Sequence, residues 1–232
     1  MILSVDLASR RYADIGIALM HGHPSASHVT LVDPARDLAL QGAPNVSLFA
    51  DALLQLAREQ HVRVMLIDGP QAWRANESPF VHSRQCERET RCPGKTGLPG
   101  VVLPRTWTSM ATFSIALFDR LHDAGWPRLT RAWNGEPATI ESFPTHAWRS
   151  LGHTALPGKS RKPDLAPWQA MLRNSGVQSF LGHASHDELQ AVVAGLAGVQ
   201  LCAGGLSACD VRGSEPRCED GVWREGFILS PR

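Results

Sequence analysis

Apolar positions fall into runs of two kinds along the chain. Ile2 to Leu7 are mostly apolar and β-branched and give way to polar Ser9-Arg10-Arg11, which reads as a buried strand. Residues 12–20 read as a second strand and His28 to Val32 as a third, with connections short enough for an antiparallel meander. The period then changes. Over 47–60, Leu48, Ala52, Leu53, Leu56 and Ala57 fall on one helical face, with Ser47 as the expected N-cap. Val62 to Asp68 is almost continuously apolar, as in a strand covered on both faces, and Gly69-Pro70 stops it. A strand, a helix and a strand in that order imply a right-handed crossover and a parallel pair.

The pattern is lost over 71–107, a stretch rich in Pro, Gly, Arg and Glu and long for a structureless connection, so a functional loop or lid is expected there. Helical spacing returns over 108–124, a fifth strand is expected at 139–143, and short helices follow at 146–151 and 167–175. A longer helix over 185–199 has a capping box, Ser185 with Glu188, and an apolar stripe of Leu189, Val192, Val193 and Leu196. The segment from Trp223 to Pro231 reads as a final strand or a packed extended piece.

Bulk properties narrow the classes. At 232 residues and 43% apolar, the chain suits a single domain over 1–232 with an irregular insertion around 71–107. Lys and Arg total 23 against 22 acids, so the net charge gives no support to a strongly basic nucleic-acid surface, although a local patch is compatible with it. The five cysteines, Cys86, Cys92, Cys202, Cys209 and Cys218, are odd in number and form no CxxC, so reduced thiols and a cytoplasmic location are expected. The first residues lack the basic and apolar regions of a signal peptide, and no run approaches a membrane span, so no membrane partner is expected.

Three strands, a helix, a strand, then helices and another strand is the order of a ribonuclease-H-like α/β fold. Its mixed sheet runs 3-2-1-4-5 with flanking helices. Strand one then lies beside strand four, and an aspartate ends each: Asp6 and Asp68. Glu141, in or near the end of the fifth strand, is next in line, and Asp187 lies in the first turn of the capped helix. Carboxylates gathered this way repel unless a cation joins them, and hard oxygens suit Mg2+ or Mn2+. Such ions activate water and stabilise a leaving oxygen in phosphodiester cleavage. Each acid also has an ordinary reading. Asp68 before Gly-Pro suits a turn, Asp187 suits the helix dipole, and Glu141 is able to pair with an arginine.

The chain resembles the domain-of-unknown-function 429 family, predicted ribonuclease-H-like nucleases. The resemblance rests on Ser4-Val5-Asp6-Leu7-Ala8-Ser9, Leu66-Ile67-Asp68-Gly69-Pro70, Arg84-Gln85-Cys86-Glu87-Arg88, Ile140-Glu141-Ser142-Phe143-Pro144, the stretch from His186 to Gly195, and Arg224 to Leu229. These segments follow the family's order across nearly the whole chain. The resemblance implies Asp6, Asp68 and Glu141 as site acids. Glu87 stands where the family's Arg-x-Cys-Asp motif has Asp, and Gln190-Ala191 where its late helix has Asp-Ala. Asp187, one turn earlier, is the acid left on that helix.

The expected activity is a metal-dependent nuclease or phosphodiesterase acting on nucleic acid. Asp6, Asp68, Glu141 and Asp187 are its catalytic acids, and Asp6, Asp68 and Asp187 its metal ligands. Arg84, Arg88, Lys159 and Arg161 are the expected substrate-binding cations, with Arg91 close by. A salt-bridged helix face competes for the first arginines, and a plain surface loop for Lys159, Arg161 and Lys162. A non-catalytic binding module is the alternative. A phosphotransferase of the acetate- and sugar-kinase type is a weaker one, because it needs a second core copy and a glycine-rich phosphate turn after Asp6. His146, His183 and His186 lack zinc spacing, and Gly94-Lys95-Thr96-Gly97 lacks the upstream glycine and strand of a phosphate loop. Trp73 and Trp107 flank the irregular stretch, where base stacking competes with burial.

Overall fold

The computed structural model describes residues 1–179 and 181–232. Its strands are β1 (Ile2–Asp6), β2 (Gly16–His23), β3 (Ala26–Leu31), β4 (Val64–Asp68), β5 (Lys95–Thr96), β6 (Val102–Leu103), β7 (Ala138–Ser142), β8 (Asp210–Glu219) and β9 (Val222–Ser230). Its helices are α1 (Pro34–Asp37), α2 (Val46–Glu59), α3 (Gln85–Glu89), α4 (Thr108–Asp123), α5 (Pro144–Ser150), α6 (Ala166–Asn174) and α7 (His186–Gly204). Seven strands form one sheet in the order β3-β2-β1-β4-β7-β9-β8. The first three are antiparallel neighbours, while β1–β4, β4–β7 and β7–β9 pair in parallel. With β7 as the fifth strand of the main sheet, the order 3-2-1-4-5 is the one expected, and the fold is ribonuclease-H-like. The β8–β9 hairpin widens it by two strands.

Alternation along the strands sends residues to two cores. Ile2, Val64, Leu66, Ala138 and Ile140 pack on the side of α7, and Leu3, Val5, Met65 and Ile67 pack on the side of α2 and α4. Both faces of the central strands are therefore covered, which is why β4 reads as an unbroken apolar run. Helix α7 is buried almost all round. It lies close to the sheet because Gly195 has no side chain: a Cβ there would come within 2.3 Å of the Met20 sulfur.

Several local expectations change. Helix α2 begins at Val46 and is capped by Asn45, whose Oδ1 accepts from the Leu48 N–H at 3.1 Å, so Ser47 lies inside the helix. Pro144 ends β7 but also opens α5 as its first residue, where a missing N–H costs nothing. The stretch 71–107 holds α3, the small β5–β6 hairpin and a 3-10 turn at Arg105–Trp107. Strand β8 is a polar edge strand without apolar alternation, which hid it. Its turn to β9 is Asp220-Gly221, and both residues take the positive φ values (52° and 76°) that a tight two-residue hairpin requires. All five cysteines are free, and among the described residues no helix is long and apolar enough to cross a membrane.

Candidate active site

The parallel register pairs Val5 with Ile67, so the next residues, Asp6 and Asp68, end adjacent central strands side by side. By alternation both belong to the row that faces α7. Their carboxyl groups are close enough to hydrogen-bond to each other. Burial first, and then the charges of Asp68 and Asp187, push the Asp6 carboxyl well above the usual carboxylate range. Burial and the charge of Glu141 raise Asp68 to about 7, against the hydrogen bond from Asp6. Without a cation, this pair holds a proton near neutrality.

Helix α7 delivers Asp187 to the same place. Gly16 sits opposite Asp6 in the β1–β2 register, and a Cβ on Gly16 would lie 2.1 Å from the Asp187 carbonyl oxygen. The helix N-terminus is thus seated directly on the strand end. Gly16→Ala is expected to lift it, costing about 1–3 kcal/mol as an overpacked contact and lowering the melting temperature. A melting temperature equal to that of the wild type would show that the contact relaxes freely.

Asp187 is not left free at that position. It accepts from the Lys159 ammonium and lies 3.1 Å from His186 Nδ1. Lys159 also reaches Asp14 at 3.0 Å. Arg11 first, and then Lys159, hold the Asp14 carboxyl down at about 2. The Lys159 loop, for which a plain surface role competed, is therefore anchored on the acidic site. Arg161, two residues on, is exposed and makes no ion pair among the described residues. Arg88 is also exposed, its guanidinium 5.3 Å from the centre of the Phe80 ring.

Glu141 departs from its expected place in line. It is in register with Ile67 rather than Asp68, so it falls on the opposite face of the sheet. There Arg84 grips it with two hydrogen bonds of 2.6 and 2.7 Å, and the Gln71 N–H donates a third at 2.9 Å. Arg84, expected to meet substrate, is only 1% exposed, and it also binds Glu87 at 2.9 Å. The residue in register with Asp68 is Ser142, whose buried Oγ has no hydrogen-bond partner among the described residues. Gln190 offers no ligand either, since its Oε1 accepts from Trp148 Nε1 at 2.8 Å.

Asp68 borders two cavities. An inner one of about 200 Å3 is lined by Lys95, Trp107, Met110, Glu141 and Phe143 together with Asp68. An outer one of about 370 Å3 runs past Leu7, Ser9, Arg10 and Asp14. Trp107 belongs to both and is 41% exposed, so it presents an aromatic surface beside the acids. Trp73 is less exposed, and its backbone pairs with the β9 strand at Trp223 and Glu225.

The donor chemistry fits a hard divalent cation at Asp6 and Asp68: two repelling carboxyls, with the unpartnered Ser142 hydroxyl next in the row. It does not extend to a cage. Among the described residues no group of three or more His, Cys, Asp or Glu side chains is arranged to hold a metal ion. Lys159 occupies Asp187 and Arg84 occupies Glu141, leaving the aspartate pair.

Asp6 and Asp68 stood out in the sequence because each closes an apolar run. Ser142, Asp14 and Gly16 did not. Ser142 and Gly16 matter only through strand register, and Asp14 only through a lysine 145 positions away.

No family model matches the chain, and no curated protein matches it. Among solved structures, the chain is similar to RuvC of Thermus thermophilus at 11% identity and a TM-score of 0.43, over 88% of this chain and 96% of that one.

Proposed function

We propose that the chain is a nuclease or phosphodiesterase dependent on Mg2+ or Mn2+, with Asp6 and Asp68 as the residues that hold the cation. One observation carries this reading. Two partly buried carboxyls end adjacent parallel strands with both pKa values raised, that of Asp6 in part by Asp68, and Asp68 borders two cavities. A bound divalent cation supplies an activated water and compensates charge on the leaving oxygen. Asp6 and Asp68 hold and orient it, and the Ser142 hydroxyl adds a neutral oxygen beside them. Lys159 fixes Asp187 at the rim and offsets its charge. The exposed face of Trp107 offers a stacking surface for a base of a nucleic-acid substrate. This agrees with the activity expected from the resemblance to the domain-of-unknown-function 429 family, with fewer acids free to act.

A second reading, a binding module without catalysis, is favoured by the neutralisation of Glu141 by Arg84 and of Asp187 by Lys159. The two separate in one assay. Purified protein is incubated with single- and double-stranded DNA and RNA and either metal, beside Asp6→Asn. Cleavage above the Asp6→Asn background is expected, stronger with Mn2+, which tolerates an incomplete ligand set. Cleavage of none of these substrates supports the binding module.

A further inference from the structure

A further cavity, of about 800 Å3 and polar in its lining, opens at the same edge of the sheet but beyond β7. Arg91, Arg149, Arg212 and Arg232 line it, with Glu89 and Asp210 as the acidic side chains. Asp210 is already shared by Arg212 at 2.8 Å and His146 at 3.0 Å. Among the described residues, the side chains of Arg91 and Arg149 have no ion pair or hydrogen bond, and both are exposed. The four arginines come from separate places: the end of α3, α5, β8, and the residues after β9. In a chain whose total charge is +1, this is a local concentration of cations. Arg91 also sits just past α3 at φ 56°, a left-handed position where glycine is favoured, so an arginine there carries a backbone cost.

From these observations we infer that this cavity grips the phosphodiester backbone of a nucleic-acid single strand whose adjoining stretch lies at Asp6 and Asp68. The identity of the strand rests on the nucleic-acid reading above. Geometry sets the span. Ser142 is in register with Asp68, Leu229 with Ser142, and Ser230 with Asp210, so the cavity and the acids share one sheet edge. Asp210 on β8 is four strand steps from Asp6 on β1. At about 4.8 Å per step this is roughly 19 Å. At the duplex spacing of about 3.4 Å of helix axis per phosphate in one strand, that distance takes at most about five or six phosphates, and fewer in an extended single strand. Exposed guanidiniums without carboxylate partners suit phosphate oxygens, which they bind by charge-assisted hydrogen bonds.

The test is binding of a fluorescent 12-nucleotide single strand, read by anisotropy in EDTA so that no cleavage occurs. The Arg91→Ala/Arg149→Ala double variant is compared with wild type and with Arg58→Ala/Arg173→Ala, which removes the same charge from exposed positions outside the cavity. The cavity variant is expected to bind about tenfold more weakly, with the slope of log K against log salt reduced by about 1.4 for two lost phosphate contacts. The control variant is expected to stay near wild type. Equal loss in both double variants, no loss in the cavity variant, or no strand binding by wild type overturns the inference. Displacement of the strand by a mononucleotide or inorganic phosphate at the strand's own concentration also overturns it, in favour of a small-phosphate site. Because the assay contains no metal, the two claims fail separately. Arginine-dependent binding without cleavage in either metal retains the inference and removes the nuclease. Metal-dependent cleavage with unchanged binding in the cavity variant does the reverse.

Discussion

Asp68→Asn is expected to abolish metal-dependent cleavage and yet to melt no lower than wild type when metal is removed. The carboxyl of Asp68 is raised to about 7, mainly by burial, so its ionised form is disfavoured in the folded protein. The sign follows from proton binding. Between about pH 4 and pH 7 the unfolded chain has released the Asp68 proton and the folded chain still holds it. The folded state then binds more protons, and stability falls as pH rises through that window. Asp6 is shifted upward as well and adds to the same trend. The metal-free wild type is therefore expected to melt progressively lower from pH 4.5 to pH 7, and Asp68→Asn to show a shallower slope. A divalent cation needs the ionised carboxylates, so its stabilisation grows with pH over the same range. At a hundredfold excess over the dissociation constant it is worth about 2.7 kcal/mol, and Asp68→Asn is expected to lose this gain. Thermal melts across pH, with EDTA and with Mn2+, read all of these effects. A large drop in melting temperature for Asp68→Asn in EDTA would make Asp68 a structural acceptor and remove it from the site.

The parts of this picture that were legible in the sequence are those governed by local pattern. Apolar runs with clear ends placed β1 and β4 and so Asp6 and Asp68, and the Ser185–Glu188 capping box placed the start of α7. The parts that were not legible depend on register or on distant contacts. Glu141 and Ser142 are neighbours in sequence, and one residue of register decides which of them stands beside Asp68. Asp187 was visible as an acid of the first helical turn, but its partner Lys159 is 28 residues upstream on an irregular loop. The arginines at the 800 Å3 cavity are spread from residue 91 to residue 232, and only the fold gathers them. Net charge near zero concealed them, since the acids that balance the total lie elsewhere.

Arg84→Met is expected to destabilise the protein by about 3–5 kcal/mol, because it strands two buried carboxylates. For a chain of this length that corresponds to a fall of roughly 6–20 °C in melting temperature. Arg84 is fully enclosed and binds Glu141 through both terminal nitrogens and Glu87 through two hydrogen bonds at 2.9 and 3.1 Å. Glu87 keeps other partners, the Arg84 and Thr96 backbone N–H groups. Glu141 retains only the Gln71 N–H and the charge of its own buried carboxylate. Most of the loss should therefore come from Glu141, and adding Glu141→Gln to Arg84→Met should restore part of the stability. The same substitution separates structure from metal binding. If Glu141 serves the fold through Arg84, Glu141→Gln alone should lower the melting temperature while leaving the metal-dependent gain in stability intact. Calorimetry with Mn2+ reads that gain directly. A Glu141→Gln protein that is folded, melts like wild type in EDTA and no longer responds to Mn2+ would restore Glu141 to the ligand set beside Asp6 and Asp68.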